Sequence, residues 1–129
     1  MRLDHVAIWV SDLERMKRFY ESWFEAVAGP KYVNERKGFA SYFLSFASGA
    51  RLEIMQRRDI GARPGGCESE RLGFAHLAIS VGSEAAVDAL ATRFAAAGSP
   101  VLDGPRRTGD GCYEAVIGDP EGNRIEITA

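Results

Sequence analysis

Residues 4–12 read DHVAIWVSD, and residues 75–83 read AHLAISVGS. The chain has two histidines, and they fall at the same place in each stretch, as His5 and His76. An internal repeat constrains a fold more than any single motif does, because each copy must be one supersecondary unit that buries its apolar face with its own neighbours. In a chain of 129 residues, two copies leave room for little besides a connection between them.

The similarity continues as architecture. Residues 3–10 and 74–81 are short, β-branched-rich runs of strand length. Ser11–Asp12 and Gly82–Ser83 then offer helix caps. After Asp12, the residues Leu13, Met16, Phe19, Tyr20 and Phe24 recur at helical spacing, and Gly29–Pro30 is expected to stop that helix. After Ser83, Val87, Leu90, Phe94 and Ala97 do the same, with Gly98 and Pro100 as the stop. Extended segments follow at 31–36, 39–47 and 51–57 in the first half, and at 100–104, 112–118 and 123–128 in the second. The last hairpin of each half turns at Ser48–Gly49 and at Asp119–Pro120–Glu121–Gly122–Asn123. Both halves read β-α-β-β-β. The expected class is α+β: one domain over 1–129 made of two modules, 1–57 and 73–129, joined by 58–72. The stretch RRDIGARPGGCESERLG (57–73) is polar, glycine-rich and long for a connection, and reads either as a linker or as a lid.

Side chains alternate between the two faces of a strand, so each strand can be sorted. Val6, Ile8 and Val10 form the face of the first strand that should meet its helix, leaving His5, Ala7 and Trp9 on the other. In the repeat, Leu77, Ile79 and Val81 oppose His76, Ala78 and Ser80. The closing strands sort alike. RLEIM sends Leu52 and Ile54 inward and Arg51, Glu53 and Met55 outward; NRIEITA sends Ile125 and Ile127 inward and Arg124, Glu126 and Thr128 outward. His5, Glu53, His76 and Glu126 therefore all lie on the side away from the helices. Two imidazoles and two carboxylates have the donor chemistry of a divalent metal site, and two negative charges balance the ion. Without a cation, two facing glutamates would repel and one would keep its proton.

The bulk properties narrow the setting. Hydrophobic residues make up 46% of the chain, and its 16 basic and 18 acidic residues are interspersed to a net charge of −2. No basic face suited to neutralising phosphates emerges, so nucleic acid is not expected as a partner. No run approaches the ~18 apolar residues of a membrane span, and the start lacks the apolar core of a signal peptide. A cytoplasmic location and a small-molecule substrate are expected. Cys67 and Cys112 stand in dissimilar contexts and do not suggest a disulfide framework.

With these residues in view, the chain resembles the vicinal oxygen chelate superfamily, which holds glyoxalase I, antibiotic-resistance proteins, extradiol dioxygenases and methylmalonyl-CoA epimerase. The resemblance spans essentially the whole chain. It rests on DHVAIWVSDLERMKRFY (4–20), GARLEIM (49–55), GFAHLAISV (73–81) and, most specifically, GDPEGNRIEI (118–127). It implies paired βαβββ modules whose curved mixed sheets form a metal-centred cavity, with ligands on the first and fourth strands of each. Those positions are His5, Glu53, His76 and Glu126. Ligand type separates chemistries within the superfamily. The iron dioxygenases use two histidines and one glutamate, the fosfomycin-resistance transferases three protein ligands, and the epimerase a set that includes glutamine. A His/Glu/His/Glu set resembles glyoxalase I, which makes Glu53 the most discriminating residue.

The resemblance further implies an enzyme similar to lactoylglutathione lyase. It would act on the hemithioacetal of a 2-oxoaldehyde, or a similar substrate with vicinal oxygens, by proton transfer through an enediolate. Glu126 is the base by analogy and Glu53 the opposing carboxylate, although the pseudo-symmetry leaves the two roles exchangeable. Nickel or zinc is favoured, with cobalt, manganese or iron as substitutes, since mixed nitrogen and oxygen donors suit them all. A homodimer is expected, with the site either within one chain or shared between two. One departure stands out: Trp9 occupies the position where enzymes of the glyoxalase I type carry an arginine for glutathione. Trp9 reads as an apolar cavity wall or as packing between modules. Arg106, Arg107 and Arg124 are candidates to hold a substrate carboxylate, and Tyr42, Arg57 and Tyr113 to orient substrate oxygens. The rival readings are another metal-dependent reaction of the superfamily (dioxygenase, epimerase or thiol transferase) and a drug- or metabolite-binding resistance protein without turnover.

Overall fold

The computed structural model describes residues 1–61, 65–68 and 72–129. The expected linker or lid at 58–72 lies partly outside them. The chain forms two compact units, Met1–Arg63 and Pro64–Ala129. Each is a mixed sheet with one helix on one face, and the architecture is α+β with two βαβββ-like modules.

In the first unit, β1 (His5–Trp9) leads to α1 (Leu13–Phe24). Asp12 caps the helix by accepting a hydrogen bond from the Arg15 backbone N–H at 2.9 Å. Next come β2 (Val27–Ala28), β3 (Tyr32–Asn34), a 3-10 turn (Glu35–Lys37), β4 (Phe39–Ser45) and β5 (Arg51–Arg57). The sheet order is β1-β5-β4-β2, with β3 also on β4; β1 and β5 are parallel and the other pairs antiparallel. α1 buries Leu13, Met16, Phe19 and Tyr20 against the side of the sheet that carries Leu44, Leu52 and Ile54. At about 25 cal/mol per Å² of apolar surface, this layer is the main source of the unit's stability.

The helix stop differs from expectation. α1 ends at Phe24, not at Gly29–Pro30, because Glu25 turns left-handed (φ 54°) and the Ala26 N–H closes back on the Tyr20 carbonyl at 3.3 Å. Gly29–Pro30 instead separates the two short strands that share the outer edge of β4, where Gly29 N–H still donates to the Phe43 carbonyl at 2.9 Å. Proline has no N–H to continue the ladder, so the edge is paired in two pieces.

The second unit repeats the plan with β6 (Leu77–Ser80), α2 (Glu84–Ala96), β7 (Val101–Arg107), β8 (Tyr113–Gly118) and β9 (Arg124–Thr128), in the order β6-β9-β8-β7. Ser83 caps α2 through the Ala86 N–H at 3.2 Å. Val87, Ala91 and Phe94 pack on Ala115, Ile117, Ile125 and Ile127. Ala97, expected in that stripe, is exposed because it is already the C-cap. β7 is longer than expected and is bulged against β8 between Val101 and Arg106. The β8–β9 turn is tied by Asp119, whose carboxylate accepts from the backbones of Glu121 and Asn123 and from the Asn123 side chain at 2.8–2.9 Å. The turn at Gly65–Glu68 rests on this hairpin. Arg124 Nε donates to the Cys67 carbonyl at 2.6 Å, and a Cβ at Gly118 would stand 2.8 Å from Cys67 Sγ. The Gly65–Glu68 turn is thus docked on the hairpin of its own unit. Both cysteines are free thiols, and among the described residues no helix is long and apolar enough to cross a membrane.

Candidate metal centre

Strand register brings one histidine and one glutamate together in each unit, by the same construction. In the first, Glu53 pairs across to Ala7 of β1 and to Phe43 of β4, which puts His5 on the diagonal of the same face. In the second, Glu126 pairs to Ala78 of β6 and to Val116 of β8, which leaves His76 in the equivalent place, just ahead of the strand. His5 Nε2 stands 3.9 Å from Glu53 Oε2, and His76 Nε2 stands 3.4 Å from Glu126 Oε2. Their neighbours Leu52, Ile54, Ile125 and Ile127 are buried beneath the helices, so all four donors lie on the opposite faces. Each glutamate is mostly covered, while each imidazole is about two-fifths exposed.

The first pair has further support. His5 Nδ1 lies 3.0 Å from Asp4 Oδ2, a carboxylate that only accepts, so Nδ1 carries the proton. In the neutral ring, Nε2 then turns a lone pair toward Glu53. Asp4 also takes Arg51 at 2.6 Å, and these bonds, that from His5 first, hold its carboxyl at about 2. The Arg51 guanidinium lies 4.4 Å from the centre of the Phe43 ring, and the His5 ring meets Phe43 edge-on at 5.2 Å.

The donor geometry fits a metal. Donors about 2.1 Å from an ion sit roughly 3.0–3.5 Å apart at tetrahedral or octahedral angles. The 3.4 Å pair meets this, and the 3.9 Å pair needs a rotamer adjustment of a few tenths of an ångström. A lone pair and a carboxylate that face each other repel unless a cation or a proton lies between them. Among the described residues, no group of three or more such side chains comes together, so each unit supplies one histidine and one glutamate.

The second pair has a neighbour that sorting only the first and last strands misses. Glu114 on β8 shares the face of Val116 and Glu126, and it is buried, with 8% exposure. Burial pushes its carboxyl up and nearby Glu126 adds to the rise, while Arg106 opposes it from 3.5 Å. Arg106 is held in turn by Asp103 at 2.7 Å. The alternation in YEAVIG, with Ala115 and Ile117 in the core, carries the signal for this residue.

The remaining candidates divide. Tyr42 and Tyr113 lie on the helix side, where their hydroxyls donate to Glu14 of α1 at 3.0 Å and to Asp88 of α2 at 2.7 Å; neither reaches the face of the His–Glu pairs. Arg107 bonds Glu84 and the Gly111 carbonyl, Arg124 holds the Gly65–Glu68 turn, and Arg106 bridges Asp103 and Glu114. Arg57 and Trp9 stay on the face of the His5–Glu53 pair, with the guanidinium 5.3 Å from the indole centre.

Two sheet-and-helix modules, each presenting a His–Glu pair on its free face, define a class. The chain belongs to the Glyoxalase/Bleomycin resistance protein/Dioxygenase superfamily, which it matches over residues 2–127. It is 30% identical to the uncharacterized protein YqjT of Bacillus subtilis (strain 168), over 98% of both chains. It has the fold of the trypanothione-dependent glyoxalase I of Leishmania major, with 23% identity and a TM-score of 0.77 over 99% of this chain and 86% of that one. Glyoxalase I of Zea mays shares the fold at 22% identity and a TM-score of 0.78, covering 98% of this chain and 44% of that one.

Proposed function

We propose that the protein is a metal-dependent glyoxalase I-like lyase or isomerase in which His5, Glu53, His76 and Glu126 hold one divalent ion. The observation that carries this reading is the shared register: Ala7 opposite Glu53 and Ala78 opposite Glu126 set the same His–Glu pair in both units. Divalent-metal binding is typical of the superfamily. We further propose one domain built from modules 1–57 and 73–129, a homodimer in the cytoplasm, and nickel or zinc as the ion. The four ligands come from one chain or from two copies.

The bound ion would supply Lewis acidity, which makes the proton on a hydroxyl-bearing carbon next to a carbonyl removable. The imidazoles hold position, with His5 fixed by Asp4. Glu126 takes the proton at a carboxylate oxygen and returns it to the neighbouring carbon, while Glu53 is the second carboxylate of the proposed set, and the two roles are exchangeable. A carboxylate placed beside the substrate carbon makes the transfer local.

The test is an NMR assay of nickel- and zinc-loaded protein with methylglyoxal and glutathione, bacillithiol, trypanothione or no thiol. Formation of the lactoyl thioester, lost by about 10²-fold or more in Glu126→Gln, supports the reading. Full metal loading without turnover on any thiol overturns the lyase assignment.

A further inference from the structure

The metal face of the first unit does not end at Glu53. Two residues beyond Ala7 on β1 is Trp9, which is 40% exposed although its ring is apolar. Phe39 meets it edge-on at 6.1 Å, and Tyr32, 56% exposed, meets Phe39 at 6.0 Å. Arg57 lies over the indole, steadied through Nε by Asp59 at 2.5 Å. Beside this shelf is a shallow recess of about 480 Å³ lined by Lys37, Gly38, Arg57, Arg58 and Asp59. Three of those side chains are cationic and one anionic. Among the described residues, Lys37 and Arg58 have no acidic partner.

An exposed aromatic shelf in water is unfavourable unless something covers it, and unpaired cations in a concavity attract an anion. Together they specify one ligand chemistry. We propose that Trp9, Phe39, Tyr32 and Arg57, with Lys37 and Arg58, form a subsite for a planar aromatic anion. Its ring stacks in the aromatic shelf, and its carboxylate or similar group reaches the recess. Glu53 to Arg57 spans about 13 Å at a strand's rise of ~3.3 Å per residue. A ligand of bicyclic size bridges the shelf and the recess while its other end points toward the His5–Glu53 pair. The inference deepens the function proposed above, and rests on it only for the ligand's being the substrate's own tail. Where glyoxalase I-type enzymes are expected to carry an arginine for glutathione, this chain would select an aromatic acid.

Heteronuclear NMR of the metal-free protein tests the subsite through the indole N–H of Trp9, assigned by its loss in Trp9→Phe. The expected result is a saturable shift with 2-naphthoate. Naphthalene-2-carboxamide, which lacks the charge, and cyclohexanecarboxylate, which lacks the aromatic ring, bind at least about tenfold more weakly. Arg57→Gln, and separately Lys37→Gln with Arg58→Gln, weaken 2-naphthoate by about tenfold and leave the carboxamide unchanged. These are surface changes that leave the core intact. No saturable shift, equal binding of acid and amide, or an unchanged affinity in Arg57→Gln overturns the proposal. Since neither metal nor turnover is needed, this result and the thioester assay fail independently.

Discussion

At the scale of single residues, the proposed donor His5 is held by a neighbour that is not itself in the proposed ligand set. That neighbour is Asp4. Ionised throughout the physiological range, it fixes the proton of His5 on Nδ1 and frees Nε2 to bind. Asp4→Asn is expected to lower metal affinity by about 10–100-fold while leaving the melting temperature nearly unchanged, measured by competition with a chromogenic chelator. Glu114 acts in the opposite sense. Its raised carboxyl means that the folded state holds a proton more tightly than the unfolded chain, so stability present in acid declines as pH rises above 4.5. Glu114→Gln should flatten that decline, read from unfolding midpoints between pH 4 and about 7. The two His–Glu pairs were legible in the sequence because repetition singled out His5 and His76, and strand alternation then found Glu53 and Glu126. Asp4 and Glu114 were not, since one precedes its strand and the other lies on a strand whose register only the folded sheet fixes.

At the scale of elements, the strands and both N-caps follow from pattern and capping chemistry, but the end of α1 does not. Glycine and proline at 29–30 looked like a stop, whereas the left-handed residue is a glutamate that no composition rule marks. Glu25→Gly should relieve its φ of 54° and stabilise the protein by about 0.5–1 kcal/mol, a rise of a few degrees in Tm by calorimetry. Gly104 is the converse. Its φ is 77°, and a Cβ there would stand 2.6 Å from the Glu114 carbonyl oxygen. Gly104→Ala is expected to cost about 2 kcal/mol or more by pushing bulged β7 off β8, and to loosen Arg106 from Glu114. On the helix side, Glu14 lies below its ordinary 4.5, first through Lys31 and then through Tyr42. A depressed carboxyl stabilises above its unfolded value and loses that support as pH falls through the folded one. Glu14→Gln should therefore make the acid limb of a Tm–pH curve shallower below pH 4.5.

At the scale of the whole molecule, the fold was legible because the sequence says one thing twice, and each copy needs the same sheet and helix. What the repeat could not show is where the copies differ. The outer edge of β4 is paired by two short strands and that of β8 by one long bulged strand. Ser41 and Glu114 occupy matching positions, opposite Met55 and Thr128. Stoichiometry tests the shared-ion reading. On that reading, His5→Ala and His76→Ala should each strip the metal almost completely by elemental analysis. Half-retention in either variant would mean that each pair binds its own ion. Light scattering at micromolar concentration should show a dimer, and a species at 14.1 kDa would overturn that expectation.

Opposite each glutamate the sheet carries an alanine, Ala7 or Ala78, and both are exposed. The alanines matter for their size: a methyl group takes up little of the sheet surface beside each glutamate. A bulky residue such as leucine in either place would act as a plug, set beside the donors without altering any of them. Ala7→Leu and Ala78→Leu should thus close the site sterically in a chain whose folding and donor chemistry are untouched.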